Sequence, residues 1–278
     1  MSTPMTAAPK RPVLYGALIL CALLTLLPFA WGVSGSLRGL DEIRSDPGSL
    51  LPHHPTLGNF TRLFETRGFG RFAVNSVVVA AMVVAGNIVA ASAAGYALAK
   101  LDFAGRRLAF GTVMAALMVP FTAVFVTQFV ITVDLGLADT LAGIALPGAA
   151  LPMSVFIMRQ YALSVPDELL EAARIDGAGE FRIFFGIFLP LAGPAVATIT
   201  IMSFLTSWNN FIWPLIVAQS MSTYTLPVGL AATSQAAAHV TDYGLLLAGA
   251  IVVMLPVLVL FLCLQRYFVQ GIAGTGMR

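Results

Sequence analysis

The sequence predicts an all-α integral membrane protein with six transmembrane helices, on two observations. Of its 278 residues, 58% are hydrophobic and 10% are charged, whereas roughly 25% of residues are charged in a soluble domain. Apolar stretches recur along the chain, each near the length of about 20 residues that a bilayer core requires. These observations exclude a soluble enzyme and a disordered chain, and a net charge of +2 is too small for a nucleic-acid-binding surface.

Six stretches without Asp, Glu, Lys or Arg are the predicted transmembrane helices: 13–34, 72–99, 108–133, 141–158, 191–211 and 243–265. A transmembrane β-barrel would instead show segments of about ten residues with alternating polarity. The first stretch follows Lys10 and Arg11 and resembles a signal peptide, but its 22 uncharged residues exceed the apolar region of such a peptide. We therefore expect a retained first helix.

The distribution of positive residues predicts the orientation, because Lys and Arg accumulate in cytoplasmic connections. One set of alternate connections holds ten of them, namely Lys10, Arg11, Lys100, Arg106, Arg107, Arg159, Arg174, Arg182, Arg266 and Arg278. The other set holds five, all in the predicted outward loop 35–71. We expect both termini to be cytoplasmic, with tails 1–12 and 266–278 on either side of a membrane domain spanning 13–265.

The cytoplasmic connection 159–190 has an unusual composition, because eight charged residues lie within 24 positions. Inserting them into lipid would cost on the order of 20 kcal/mol. Ser164, with Asp167 three residues later, is a helix-start signature, and Gly177 falls where a helix ends in the left-handed conformation. A second helix is predicted from Glu180 until Pro190 breaks it, which makes a helix-turn-helix elbow.

The same elbow resembles a known motif at set spacing. Glu171-Ala172-Ala173, three residues, Gly177, nine residues, Ile187, one residue and Leu189-Pro190 are similar to the EAA motif of ABC importer permeases. The resemblance implies a coupling helix that sits in a cleft of a separate ATPase subunit. The candidate coupling residues are Glu171, Ala172, Ala173, Arg174, Asp176, Gly177, Ile187, Leu189 and Pro190.

The residue types suit that role, although a simpler alternative exists. The two alanines allow close approach of a partner, Gly177 permits a sharp reversal, and Glu171 offers a carboxylate to a basic group. The alternative is a surface helix in which Glu171 only pairs with Arg174, a contact worth about 0.2 to 0.5 kcal/mol.

Further similarity to the shorter permease of maltose-type carbohydrate importers extends from Pro52 to the C-terminus. It is carried by LP at 51–52, PTLGNF at 55–60, NS at 75–76, GYALAK at 95–100, WNNFIWP at 208–214 and QRYFVQG at 265–271. This resemblance implies import of a sugar or sugar derivative across a bacterial inner membrane. The glycine-rich tail after 271 differs at its end from the tail that enters the ATPase dimer in this subfamily.

The chain lacks the phosphate-binding loop GxxxxGK[ST]. We therefore expect a separate ATPase chain to bind ATP and Mg²⁺, and this chain to bind no cofactor. We expect a second homologous permease subunit, two copies of a cytoplasmic ATPase, an extracytoplasmic solute-binding protein and membrane lipid as partners, without nucleic acid. The connection 219–242 either reaches toward the binding protein or is a solvated loop.

The predicted spans carry no ionisable residue, which fits an uncharged solute. Candidate pathway residues are Asn75, Asn87, Gln128, Trp208, Asn209 and Asn210, with Trp213 as a second aromatic platform. The alternatives are helix packing for the amides and an interfacial belt for the tryptophans. Two adjacent histidines, His53 and His54, without a third ligand predict no metal site.

Three other functions are alternatives to this interpretation. The first is an ABC permease for a different uncharged solute. An intramembrane serine protease is suggested by GVSG at 32–35, but the motif stands in the first span and the three histidines lie in predicted outward loops. A secondary carrier or channel would need neither an ATPase nor an elbow.

Overall fold

A computed structural model describes residues 11–235 and 242–273, with side chains described as far as Cys263 in the last helix. These ranges are helical and contain no strand. The α-helices are α1 (Arg11–Ser36), α2 (Leu40–Ser45), α3 (Gly58–Thr66), α4 (Phe69–Lys100), α5 (Arg106–Met118), α6 (Phe121–Asp134), α7 (Leu141–Ala145), α8 (Pro152–Ser164), α9 (Asp167–Ile175), α10 (Glu180–Ile183), α11 (Leu189–Leu191), α12 (Gly193–Trp208), α13 (Ile212–Val217), α14 (Leu226–Gln235) and α15 (Tyr243–Ala273). A 3-10 turn, Leu146–Gly148, follows α7, and a π-helical segment, Phe184–Phe188, follows α10.

Within the described ranges, three helices are long and apolar enough to cross a membrane alone: Pro12–Ser36, Phe69–Lys100 and Tyr243–Cys263. Three further helix pairs pass the same test only as bent pairs, giving up to six spans. The all-helical membrane fold is therefore confirmed, with three to six apolar spans. Leu23 is 61% exposed on α1, as expected for a lipid-facing helix.

The third predicted span is not one continuous helix, which corrects the sequence analysis. Helices α5 and α6 are bent by 103° at the break between them. Val119 is extended and Pro120 caps α6, because a proline disfavours helical backbone at the residue before it.

The fourth predicted span is also broken, by 45°, between Gly148 and Pro152. Leu151, which precedes Pro152, is extended. Asn87 satisfies the broken backbone: its Nδ2 donates to the carbonyl of Gly148 at 2.6 Å and its Oδ1 accepts from the N–H of Leu151 at 2.8 Å. A buried amide thus replaces helical hydrogen bonds at the break.

The fifth and sixth spans differ from their predicted bounds. Glu180–Leu191 and Gly193–Trp208 form a pair bent by 74°, so the fifth helix begins before the predicted residue 191. Helix α15 continues to Ala273, past the predicted end at 265 and into the predicted tail.

The chain divides into two compact units. The first comprises 1–68 and 230–255, of which 11–68, 230–235 and 242–255 are described. Its segment after α1 is ordered around Arg38, which is 1% exposed and donates to the Glu42 carboxylate at 3.0 Å and to the carbonyl of Ser49 at 3.1 Å. The predicted loop 35–71 therefore contains two helices, α2 and α3, and an ion pair between buried Arg38 and half-buried Glu42.

The second unit, 69–229 and 256–278, is organised around α4, which packs against α7, α8 and α12. Close approach depends on glycine: a Cβ on Gly95 would lie 2.7 Å from the Cβ of Met158, and one on Gly86 would lie 2.6 Å from the carbonyl oxygen of Ala149. Small residues allow such backbone contact between membrane helices.

Candidate functional site

The elbow consists of α9, a glycine turn and the helical segment from Glu180 to Leu191. Gly177 has φ +82°, and the N–H groups of Gly177 and Ala178 donate to the carbonyls of Arg174 and Ala173 at 3.0 and 2.9 Å. These two bonds close the helix end in a left-handed cap of the Schellman type. The predicted left-handed turn at Gly177 is confirmed, and the open space around its Cβ position shows that φ, not crowding, requires glycine.

Two predicted boundaries of the elbow are wrong. Ser164 belongs to α8 and its Oγ donates to the carbonyl of Tyr161 at 2.7 Å, while the residue that caps α9 is Pro166, without a side-chain bond. Pro190 does not end the second helix, which runs on to Leu191 and bends at Ala192. The π-helical segment lies just before this proline, where the missing N–H removes a helical hydrogen bond.

Two polar contacts fix the elbow to α4. Lys100 Nζ lies 2.5 Å from Asp167 Oδ1 and 2.6 Å from the carbonyl oxygen of Val165. The hydrogen bond from Lys100 holds the pKa of the Asp167 carboxyl below its ordinary value. At the other end of the elbow, the hydroxyl of Tyr96 donates to Glu180 Oε2 at 2.9 Å.

Arg174 pairs across the turn rather than along its own helix. Its Nε lies 2.7 Å from Glu180 Oε1, and this hydrogen bond raises the pKa of Arg174. Within the described ranges Glu171 has no ion-pair partner within 4 Å. The structure therefore contradicts the alternative in which Glu171 pairs with Arg174, and it leaves the exposed Glu171 carboxylate open to solvent.

The elbow has one packed side and one open side. Leu170, Ile183 and Phe188 are buried in the hydrophobic core of the second unit. Ile175 and Phe181, in contrast, are 87% and 83% exposed. The remaining candidate coupling residues lie along the same segment: Ala172 and Asp176 are exposed, Ala173, Ile187 and Leu189 are half-buried, and Pro190 is exposed.

A cavity of about 960 Å³ opens elsewhere in the second unit. Among the described residues, its lining contains no charged side chain. The polar lining residues are Gln128, Thr206, Ser207, Asn209 and Asn210, and the partly exposed aromatic ones are Phe121 and Phe211. Gln128 Oε1 and Ser207 Oγ are buried and lack a hydrogen-bond partner among the described residues, which is uncommon for buried polar atoms.

Of the predicted polar pathway residues, Gln128, Asn209 and Asn210 line this cavity, and the predicted aromatic platform Trp213 also lies in its lining. Asn75 donates to the carbonyls of Ser222 and Tyr224 at 2.8 and 2.9 Å, and Asn87 bonds the broken fourth span as described above. Trp208 is 2% exposed and stacks on Phe204. Asn75, Asn87 and Trp208 therefore have packing contacts that account for their burial.

The sequence predicted Trp213 as an aromatic platform but did not predict the exposed aromatic residues of the cavity, Phe121 and Phe211. Trp213 lines the cavity but is only 1% exposed, and its Nε1 donates to the carbonyl of Gly143 at 3.2 Å. Phe121 and Phe211 are 45% and 37% exposed instead. No signal in the sequence separates these phenylalanines from the many others in apolar spans.

The connection after α13 begins as an ordered turn. Asp139 Oδ1 accepts hydrogen bonds from the N–H groups of Gln219 and Ser220 at 2.9 and 3.0 Å, and from the hydroxyl of Thr223. These bonds, with that of Thr223 the largest cause, lower the pKa of Asp139 to about 2. The first part of the predicted outward connection 219–242 is thus a turn stabilised by hydrogen bonds to Asp139. Residues 236–241 lie outside the described residues.

Two other predictions concern the adjacent histidines and the C-terminal tail. The backbone N–H groups of His53 and His54 donate to the Glu42 carboxylate at 2.8 and 3.3 Å, and the described residues contain no cluster of three metal-ligating side chains. The glycine-rich tail after 271, which the family resemblance relates to a segment that enters the ATPase dimer, lies outside the residues whose side chains are described.

Comparison with known proteins assigns the chain to a family. Residues 86–274 match the family "Binding-protein-dependent transport system inner membrane component". The arabinooligosaccharides transport system permease protein AraQ of Halalkalibacterium halodurans is 38% identical over 92% of both chains. The lactose transport system permease protein LacG of Rhizobium radiobacter is 34% identical over 95% of both chains, and the diacetylchitobiose uptake system permease protein NgcG of Streptomyces coelicolor is 32% identical over 94% of this chain and 87% of its own.

A solved structure shares the fold. A chain in the crystal structure of a bacterial ABC transporter involved in the import of the acidic polysaccharide alginate superimposes with a TM-score of 0.84, at 24% identity over 96% of this chain and 100% of that one. The chain therefore belongs to the binding-protein-dependent inner membrane components, which are transport permeases that act with a separate ATPase subunit and are not themselves enzymes.

Proposed function

We propose that this permease forms half of the translocation pathway of an ATP-driven importer for a neutral sugar or sugar derivative. Its partners would be a second homologous permease, two ATPase subunits that use ATP and Mg²⁺, and an extracytoplasmic binding protein. Three relatives are named for arabinooligosaccharides, diacetylchitobiose and lactose. Others are named for sn-glycerol-3-phosphate, but the uncharged cavity lining favours a neutral solute.

The membrane arrangement belongs to the same proposal. Each bent helix pair counts as one span, giving six spans within 13–265, and the excess of Lys and Arg in alternate connections supports cytoplasmic tails at 1–12 and 266–278. Helix α9 and the turn at Gly177 then lie on the cytoplasmic side with the ATPase, and the turn stabilised by Asp139 lies on the outward side.

The observation that carries the coupling role is the open side of the elbow. Ile175 and Phe181 are large apolar side chains in a highly charged segment, and each is more than four-fifths exposed. This exposure indicates a surface that a partner covers. The elbow is also fixed to α4 through Lys100 and Tyr96, and α4 contributes Val79 and Val83 to the cavity lining. A movement of the elbow would therefore reach the cavity through one continuous helix.

In the cavity, we assign solute contacts to Gln128, Ser207, Asn209 and Asn210, with Phe121 and Phe211 against the apolar faces of sugar rings. Amide and hydroxyl groups match the hydroxyls of a sugar, and partly exposed aromatic rings match its C–H faces. Asn75, Asn87 and Trp208 are assigned to packing.

The experiment compares Gly177→Asp with Gly177→Asn in the assembled transporter. Both residues tolerate a positive φ, but only aspartate adds a charge beside Asp176 on the exposed tip of the elbow. We expect Gly177→Asp to abolish accumulation of labelled sugar, tested with arabinooligosaccharides, diacetylchitobiose and lactose, while ATP hydrolysis continues. Gly177→Asn should retain most of the accumulation. Wild-type accumulation in Gly177→Asp would refute the coupling role.

A further inference from the structure

A basic cleft in the second unit has no part in the roles above. It lies between α8, the start of α5 and the loop before α5, and its volume is about 830 Å³. Its lining residues are Asp102, Phe103, Gly105, Arg106, Arg107, Phe110 and Arg159. None of them lines the solute cavity.

The cleft lining carries a net positive charge, because it contains three guanidinium groups and one carboxylate. Arg106 Nη1 pairs with Asp102 Oδ1 at 2.9 Å. In the described part of the chain, no carboxylate lies within 4 Å of Arg107 or Arg159. The cleft therefore has donors available for an anion.

Arg159 is held in position without being neutralised. Its guanidinium lies 3.8 Å from the ring centroid of Phe110, and its Nε donates to the carbonyl of Leu98 at 3.4 Å. Such stacking on an aromatic face fixes the guanidinium plane and leaves its terminal N–H groups free for a bidentate contact with a phosphate.

Apolar surface adjoins these charges. Phe103, in the cleft lining, is 44% exposed, and Leu108, one residue beyond Arg107, is 77% exposed. An inorganic ion or a soluble phosphate would make no use of this surface. An amphiphile with an anionic headgroup and acyl chains uses both parts.

We propose that the cleft binds the phosphate headgroup of an anionic phospholipid of the cytoplasmic leaflet, with Arg107 and Arg159 on the phosphate. The acyl chains would pass along Phe103 and Leu108. The inference rests on the orientation given under Proposed function, which puts Arg106 and Arg107 at the cytoplasmic end of a span. Basic pockets between membrane helices on that side are suited to anionic lipid headgroups.

The test is lipid retention by the whole transporter, co-expressed with its partner subunits and reconstituted in nanodiscs of phosphatidylcholine and phosphatidylglycerol. Native mass spectrometry counts the lipids that remain bound. The wild type should retain phosphatidylglycerol in preference to phosphatidylcholine. Arg107→Gln should lower that preference about fivefold, the value expected for one arginine near the membrane surface, and Arg107→Gln with Arg159→Gln should abolish it.

Three matched arms decide the outcome. Arg107→Lys keeps the charge and should retain most of the preference, and Arg71→Gln removes an exposed arginine at the opposite end of a span and should change nothing. Excess inorganic phosphate should not displace the lipid; displacement would assign the cleft to a soluble phosphate and overturn the lipid proposal. Equal retention by the wild type and the double variant would also overturn it, and would show that the cleft has no lipid or is covered by a partner subunit.

Lipid retention is measured independently of transport. Loss of the phosphatidylglycerol preference together with intact sugar accumulation would support this inference alone, whereas intact preference with failed accumulation in the wild type would leave it standing and refute the proposed function.

Discussion

Gln128 and Asn87 are both amides in apolar helices, yet their environments differ. All the polar groups that Asn87 presents are used, on the carbonyls of Val83 and Gly148 and the N–H of Leu151. Gln128 Oε1 is buried in the cavity lining without a partner among the described residues. A buried polar atom left without a partner costs stability, and this cost distinguishes Gln128 from Asn87.

Gln128→Leu should lower sugar uptake without lowering stability, because it removes an unpaired buried oxygen and one contact to the solute. A lost hydrogen bond of about 0.5 to 1.5 kcal/mol corresponds to a loss of uptake of about two- to tenfold. The readouts are labelled sugar uptake and the melting temperature of the purified transporter.

Asn87→Leu is the matched control and should have the opposite effect. It leaves the carbonyl of Gly148 and the N–H of Leu151 without their hydrogen-bond partner at the break of the fourth span. Each unsatisfied buried group costs about 1 to 3 kcal/mol of stability, so the melting temperature should fall. If Gln128→Leu melted as early as Asn87→Leu while transporting normally, the amide would be structural and the pathway assignment would fail.

Asp139 is the residue at which a pH effect is expected. Its pKa in the folded chain, about 2, lies below the ordinary value of 3.8, so the carboxylate stabilises the turn at 219–223. That stabilisation is fully present above about pH 4 and is lost as the pH falls through about 2. Amide hydrogen exchange of residues 219–223, corrected for intrinsic rates, should show constant protection from pH 7 to 4 and falling protection below.

Asp139→Asn should weaken protection at neutral pH and remove the acid-dependent step, because the residue no longer titrates. Asp134→Asn, an exposed carboxylate at the end of α6, should leave the wild-type profile in place. A profile in Asp139→Asn that still falls between pH 4 and 2 would assign the step to another group.

At the scale of elements, the α4–α8 crossing depends on Gly95. Its Cβ position lies 2.7 Å from both Cβ and Cγ of Met158 and 2.9 Å from the backbone nitrogen of Arg159. Gly95→Ala would therefore overpack the crossing, at about 1 to 3 kcal/mol. The expected result is a lower melting temperature of the assembled transporter.

Gly111→Ala provides the control for helix propensity. Gly111 lies in α5 with nothing within 4 Å of its Cβ position, so alanine should be neutral or stabilising by up to about 1 kcal/mol. Equal melting shifts in the two variants would show that the close approach at Gly95 is not limiting.

Sequence patterns predict helices better than they predict the breaks within them. Charge-free stretches located the three apolar helices that can span a membrane alone and the three bent helix pairs, because lipid tolerates few charges. The breaks before Pro120 and Pro152 follow a local rule that the sequence already contains, namely the restriction on the residue before proline. The bend angles do not follow a local rule, because they depend on contacts between residues far apart in the sequence, such as that of Asn87 with the fourth span.

The elbow shows the same division. The turn at Gly177 was predictable because it depends on local backbone conformation. The contacts of Lys100 with Asp167 and of Tyr96 with Glu180 were not, because the partners are 67 and 84 residues apart. Ser164 was misassigned as a cap because a hydroxyl can equally well bond a carbonyl of its own helix, as it does with Tyr161.

For the whole molecule, family membership follows from the comparisons and the shared fold, whereas the working arrangement depends on parts that other chains supply. In the proposed arrangement, the cavity would accommodate the solute and the elbow would transmit the movement of an ATPase subunit to the cavity. The two are joined by α4, which carries the anchors of the elbow at one end and cavity-lining residues nearer its middle.

The most direct test of this account is disulfide or bifunctional crosslinking from Ile175→Cys in intact membranes, in a background where Cys21 and Cys263 are replaced by serine. Ile175 is 87% exposed on the open side of the elbow, and Met221→Cys, at a position 60% exposed in the turn held by Asp139, is the control. The account predicts that Ile175→Cys captures the ATPase subunit in a nucleotide-dependent yield and that Met221→Cys does not. Capture of no ATPase from Ile175→Cys, with the transporter assembled and active, would contradict it.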